Sequence, residues 1–335
     1  MRTYPRLPAV ILLITPAAAL CLVLLSALFG AKSIHAVDVW NAVAHFDPDN
    51  VNHQIIRHSR LPRVFGSLLI GAFLAVSGAV MQGITRNALA SPSMLGVSDG
   101  SVFVVTLCMV FLPQLSSTEL IAMSMAGSAL GAALVFGMAW LIPGGGSPVK
   151  LAILGTLAGM FLNGVADAVA MYAHIPQKIS FWYNARLHQL DPELITLALP
   201  FAAAGLILAL VLARSISALS LGEEMSVSLG QRVRLIKGLS MLAVVLLTGT
   251  SVALAGKIAF VGLIVPHVAR MLAGTDYRRI IPVSGVLGAL FLAACDILSR
   301  FLNAPFETPI GVVTALFGVP FFLYLVKKKG GAAHA

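Results

Sequence analysis

The stretch RHSRLPRVFGSLLIGAFLAVSGAVMQG, residues 57–83, sets three arginines within seven positions and then runs for about twenty residues without a charge. A run of that length crosses a hydrocarbon core of about 30 Å as a helix. It is not the alternating segment of about ten residues that a membrane β-barrel uses. Gly71, Ala75, Ala79 and Gly83 recur at every fourth position. That spacing lines small residues along one helix face and lets a neighbouring backbone approach closely. The segment therefore reads as a packed transmembrane helix with a basic cluster at its start.

The rest of the chain repeats the pattern. Of 335 residues, 59% are hydrophobic and only 10% charged, whereas soluble domains carry about 25% charged residues. Mean hydropathy is +0.94. The fold class is an all-α polytopic membrane protein, a single transmembrane domain over 1–335. Ten spans are expected at 8–30, 64–84, 93–112, 119–142, 150–172, 194–214, 235–254, 258–274, 281–303 and 309–326. The span at 258–274 is short and carries Pro266, His267 and Arg270. Gly127/Gly131, Gly155/Gly159 and Gly311/Ala315 repeat the small-residue spacing. The first span, about 34 Å long as a helix, exceeds a signal-peptide core of about 7–15 residues. Cys21, Cys108 and Cys295 lie singly in apolar runs and suggest neither a disulfide nor a metal site.

Lys and Arg collect on the cytoplasmic side of membrane proteins. With both termini inside, most of the 22 Lys and Arg fall there, among them Arg232, Arg234, Lys237, Arg278, Arg279 and Lys327 to Lys329. Arg57, Arg60 and Arg63 then stand on the outer face, against the trend. The net charge of +9 has no aromatic interleaving. It reads as topology signal and anionic-lipid contact, with no nucleic-acid partner.

Between the sixth and seventh spans, SLGEEMSVSLGQRVR (220–234) reads as a short helix. Ser220 and Glu223 have capping-box spacing, and Gly230 is placed to end the helix. Leu221, Met225 and Leu229 form an apolar stripe. Such a helix lies on lipid or docks to a protein. Glu223 and Glu224 would face an anionic leaflet, which favours a protein partner. Ionisable residues inside spans are costly and functional by default. Asp296 and Arg300 have the spacing of an intrahelical pair. Asp167, with Asn163 on the same face, fits either a polar pathway or interhelical hydrogen bonding. No P-loop, hydrolase triad or metal-ligand spacing occurs: GTSVALAGK (249–257) has the wrong glycine spacing and is followed by Ile258.

Several segments together resemble the FecCD family, the ten-helix permease subunits of ABC importers for iron–siderophores, haem and cobalamin. They are RLPR (60–63), SGAVMQGITRNALASPSMLGVSDG (77–100), LGEEMSVSLG (221–230), FVGLIVPHVAR (260–270) and FETPIGVVTALFGVPFF (306–322). Departures are Ala88 and Lys257 where the family has Pro, Ala259 where it has Gly, and FWYNARLHQL (181–190), which is similar to Gram-positive siderophore permeases. The resemblance implies a type II ABC importer permease in the cytoplasmic membrane that does no covalent chemistry and binds no cofactor or metal. ATP and Mg would sit on two partner ATPase subunits. The other partners implied are a second permease subunit, identical or paralogous, and an extracellular or periplasmic binding protein. The segment 220–231, with Leu221, Gly222, Glu223, Glu224, Met225, Ser228, Leu229 and Gly230, would couple to the ATPase. Arg60, Arg63 and Arg300 would dock glutamates of the binding protein, the bland alternative being headgroup contact. Met160, Asn163, Asp167 and Met171 would line the pathway. The competing class is an ion-coupled transporter with Asp167 or Asp296 as relay, and a third is a membrane scaffold.

Overall fold

The structure, a computed structural model, describes residues 7–30, 34–142, 147–183, 187, 190, 192–303 and 306–331. Every regular element among them is a helix. In chain order these are α1 (Leu7–Leu28), α2 (Ala36–Ala44), α3 (Val51–Ile55), α4 (Leu61–Thr85), α5 (Val97–Phe111), α6 (Ser117–Leu141) and α7 (Pro148–Tyr172). There follow α8 (Pro176–Tyr183), α9 (Pro192–Leu221), α10 (Glu223–Ser228), α11 (Val233–Ala255), α12 (Val261–Ala273), α13 (Tyr277–Ser299) and α14 (Ile310–Gly331). A π-helical turn over Ile56–Arg60 joins α3 to α4 without a break.

Among the described residues, seven segments are long and apolar enough to cross a membrane. The other three expected spans are helices too, but shorter: Val97–Phe111, Val261–Ala273 and Ile310–Leu325. At 13 residues α12 reaches about 20 Å, short of a full hydrocarbon core. Arg2 and Arg6, the basic residues ahead of the first span, lie outside the described residues, as do residues 184–186, 188 and 189 of the FWYNARLHQL segment.

The small-residue faces do the packing expected of them at most positions. Helix α4 runs through the centre, almost wholly buried, against α13, α11, α12 and α9. Where α4 crosses α13, a Cβ added to Gly71 would lie 2.2 Å from the Gly288 carbonyl oxygen. Where it meets α12, one on Gly78 would lie 2.0 Å from the Gly262 oxygen. No side chain fits either crossing. Gly127 and Gly131 of α6 lie against the backbone of Gly96 and Gly100 in the same way. Gly311 departs from the expectation, since a Cβ there meets nothing within 4 Å.

Helix α9 is longer than its expected span. Its 30 residues extend about 45 Å, longer than a hydrocarbon core of about 30 Å, and α10 follows directly at its end. Arg63, one turn into α4, and Arg86, just past its end, mark the two ends of the bundle, about 35 Å apart.

Candidate docking, coupling and pathway sites

At one end of the bundle α4, α13 and the end of α1 bring the three expected docking arginines together. Asp296, 1% exposed, accepts Arg63 Nε at 2.8 Å on one carboxylate oxygen and Arg300 Nη2 on the other. Arg63 Nη1 also donates to both oxygens of Glu307, at 2.7 and 2.9 Å. Arg300 donates to the Ser26 carbonyl at 3.0 Å and the Ser26 hydroxyl at 2.8 Å, and Arg60 to the Ala27 carbonyl. Arg60, Arg63 and Arg300 are only 6–7% exposed.

The three guanidinium groups are not a free basic surface; they face inward and are held by partners within the chain. The Asp296–Arg300 pair does form, but Arg63 joins it from a helix more than two hundred positions away in sequence. The π-turn is part of the reason. It leaves Arg57, His58 and Ser59 exposed while Arg60 turns inward beside Gly30. Arg57 stacks over the Phe46 ring, its guanidinium carbon 4.4 Å from the centroid. Single-turn π segments of this kind are frequent at functional sites.

At the opposite end, α9 continues through Ser220 to Leu221, so Ser220 is not the cap of a new helix. Its hydroxyl donates back to the Ser217 carbonyl, and the expected capping box does not form. The break comes at Gly222, whose φ of 138° favours glycine. Helix α10 then covers Glu223–Ser228 and ends at Gly230, with φ of 78°. There Gly230 N–H donates to Val227 O and Gln231 N–H to Ser226 O, the paired bonds of a Schellman motif. Leu221, Met225, Val227 and Leu229 are 54–72% exposed, an apolar face left open by the described residues.

Glu223 fixes α10 to the bundle. Its carboxylate accepts Lys237 Nζ at 2.6 Å and lies 3.8 Å from Arg86. The hydrogen bond from Lys237, above all, holds the Glu223 carboxyl below the usual carboxylate range; partial burial opposes it, and the Lys237 and Arg86 charges reinforce it. Nearby, Asp276 caps α13 by accepting the Arg278 amide at 3.0 Å and reaches α9 through the Ser217 hydroxyl at 3.0 Å. Its carboxyl falls from the ordinary 3.8 to about 2, chiefly through the Arg278 side-chain hydrogen bond.

The pathway candidates lie along α7, where Met160, Asp167 and Met171 are exposed and Asn163 is half-buried. Met160 borders a shallow apolar depression of about 490 Å³ with Phe161, Gly164 and Ala168. Asn163 donates to Asp99 at 2.9 Å, and the same Asp99 oxygen pairs with Lys257. Gly159 leaves room for this carboxylate, because a Cβ there would lie 2.6 Å from Asp99 Oδ2. Sequence reasoning missed the Asp99–Lys257 pair, although both residues carried a signal. Asp99 stands inside an expected span and Lys257 stands where the resembled family has Pro.

The model of the FecCD transport family matches residues 18–328. The chain belongs to the FecCD transport family. Among FecCD relatives, the iron-uptake system permease protein FeuB of Bacillus subtilis is 58% identical over 322 residues, 96% of each chain. The iron(3+)-hydroxamate import system permease protein FhuB of the same organism is 48% identical over 98% of this chain and 85% of its own length. A solved structure described as an inward-facing metal-chelate type ABC transporter superposes with a TM-score of 0.79 at 30% identity. It covers 97% of this chain and is itself covered in full.

Proposed function

We propose that this FecCD chain is the membrane-spanning permease of an ATP-binding-cassette importer that moves iron–siderophore complexes across the cytoplasmic membrane. The observation that carries the reading is the 58% identity, over nearly the full length of both chains, to an iron-uptake permease. The ten helices act as ten crossings with both termini inside, which turns α10 to the cytoplasm and the arginine cluster outward. A second permease, identical or paralogous, completes the pathway. Two ATPase subunits carry ATP and Mg, and an external binding protein delivers cargo.

The exposed apolar face of α10 supports a coupling role, since Leu221, Met225 and Leu229 are more than half exposed among the described residues and suit a groove on an ATPase. Glu223 is engaged by Lys237, which leaves Glu224, exposed, as the acid free to meet basic residues at the groove's rim. Docking at the arginine end works through partner exchange. Glu307, with a side chain 37% exposed, is the cluster's outermost carboxylate. A glutamate of the binding protein takes its place on Arg63, while Asp296 keeps Arg63 and Arg300 in position. Arg57, exposed at the rim, steers the encounter. Along α7, Met160, Asn163, Asp167 and Met171 form part of the pathway wall, with the Asp99–Lys257 pair behind Asn163. The ion-coupled alternative loses Asp296 as a relay, because both of its oxygens are occupied by guanidinium groups.

Purification of the chain with its ATPase, followed by hydrolysis assays, tests the reading. Stimulation by a binding protein loaded with ferric siderophore, well above that by the same protein unloaded, is expected. A permease that associates with no ATPase would overturn it.

A further inference from the structure

A cavity of about 790 Å³ opens at the end of the bundle that carries α10. Its walls are apolar, with Ala129, Ala133 and Phe136 on α6 facing Met241 and Val245 on α11. From Lys237 at the mouth to Val245 is about 12 Å along α11, and from Trp140 to Ala129 about 16 Å along α6. The cavity therefore reaches roughly the depth of one leaflet's hydrocarbon, about 15 Å. Its volume lies within the range of about 300–1,000 Å³ typical of small-molecule sites.

The mouth has a different chemistry. Arg86, Lys237 and Glu223 line it, with side chains 48%, 40% and 45% exposed. One carboxylate stands between two cations, and only Lys237 is within hydrogen-bonding distance of it. Arg86 is 3.8 Å away, too far for a hydrogen bond, so its fork is not satisfied by this acid. Arg86 also holds a left-handed backbone, φ 52° and ψ 31°, at the end of α4, a conformation usually left to Gly or Asn. That conformation sets a cation at the rim of an apolar cavity. Trp140, 86% exposed, stands beside it, and tryptophan prefers the membrane–water interface.

We propose that this cavity binds an anionic phospholipid. The phosphate sits between Arg86 and Lys237, and an acyl chain fills the channel between α6 and α11. Basic pockets between membrane helices select acidic headgroups by this chemistry. The guanidinium fork donates to two phosphate oxygens, and the ammonium adds a compact charge. The bound phosphate competes with Glu223 for the same two cations, so lipid occupancy alters the tether between α10 and the bundle. The assignment rests on cavity shape and charge, and holds whatever cargo the transporter carries.

The test uses the assembled complex in nanodiscs of mixed phosphatidylglycerol and phosphatidylcholine, followed by detergent extraction and native mass spectrometry. The wild-type complex should retain phosphatidylglycerol at least about tenfold over phosphatidylcholine, and R86Q/K237Q should lose that preference. Ala133→Phe, at an exposed wall position, leaves the charges intact yet should also lower retention severalfold. Glu223→Gln should raise it by removing the competing carboxylate. Inorganic phosphate alone should displace little of the bound lipid. Equal retention of the two lipids by the wild type would overturn the assignment. So would unchanged retention in both R86Q/K237Q and Ala133→Phe, or complete displacement by inorganic phosphate, which would mark a site for free anions.

Discussion

Asp296 illustrates how much one residue can organise. It lies almost fully buried between Arg63 and Arg300, on helices distant in sequence. Removing one partner from a buried ionic network leaves uncompensated charge and typically costs about 3–5 kcal/mol. Asp296→Ala should therefore lower the thermal midpoint of the purified protein by several degrees, read by intrinsic fluorescence in nanodiscs. Glu307→Ala, at a partly exposed position, should cost only about 0–1 kcal/mol and lower the midpoint far less. Equal effects would show that the network is not centred on Asp296. The glycines give a second contrast. Gly78→Val would drive a side chain into the Gly262 backbone, whereas Gly311→Val meets open space. The first should abolish accumulation of folded protein in the membrane and the second should not.

At the scale of elements, the membrane helices were legible because long apolar runs leave few alternatives to a spanning helix. The end of α9 was not. Ser220 and Glu223 have the spacing of a capping box, but helix propagation through Leu221 wins and the left-handed Gly222 makes the break. The π-turn was equally hidden, since nothing in RHSR distinguishes it from ordinary helix. Its consequence matters: of the arginines in RHSRLPR, Arg57 alone remains at the surface. The Asp99–Lys257–Asn163 cluster joins residues from three distant segments, and no local spacing reports such a meeting.

Two predictions belong to α10 and the elements beside it. Met225→Ala, on the exposed face of α10, should weaken association with the ATPase about tenfold while the chain's own midpoint stays within experimental scatter. Binding measured between separately purified components would decide this; an unaltered affinity would remove α10's apolar face from the interface. The Asp276 cap predicts a pH dependence. Its folded-state pKa is depressed from 3.8 to about 2, so its contribution is complete above the ordinary value and disappears as pH falls through the lowered one. Asp276→Asn should lower the thermal midpoint at neutral pH, and the difference from wild type should close as pH approaches 2. A difference independent of pH would show that the cap acts by shape and not by charge.

Across the whole molecule, the two ends of α4 have different surroundings. Arg63 belongs to the arginine–carboxylate network and Arg86 to the mouth beside α10, with a tightly packed, glycine-lined helix joining them. Such a rod suits a machine in which cargo arrival at one end and nucleotide chemistry at the other must be mechanically linked. The central claim is that this linkage runs on ATP and moves ferric chelates. Proteoliposomes holding the permease with its ATPase and loaded binding protein allow the direct measurement, uptake of radiolabelled ferric siderophore with ATP present, absent, or replaced by an imposed ion gradient. The account predicts accumulation only with ATP. Accumulation driven by the gradient and indifferent to ATP would contradict it.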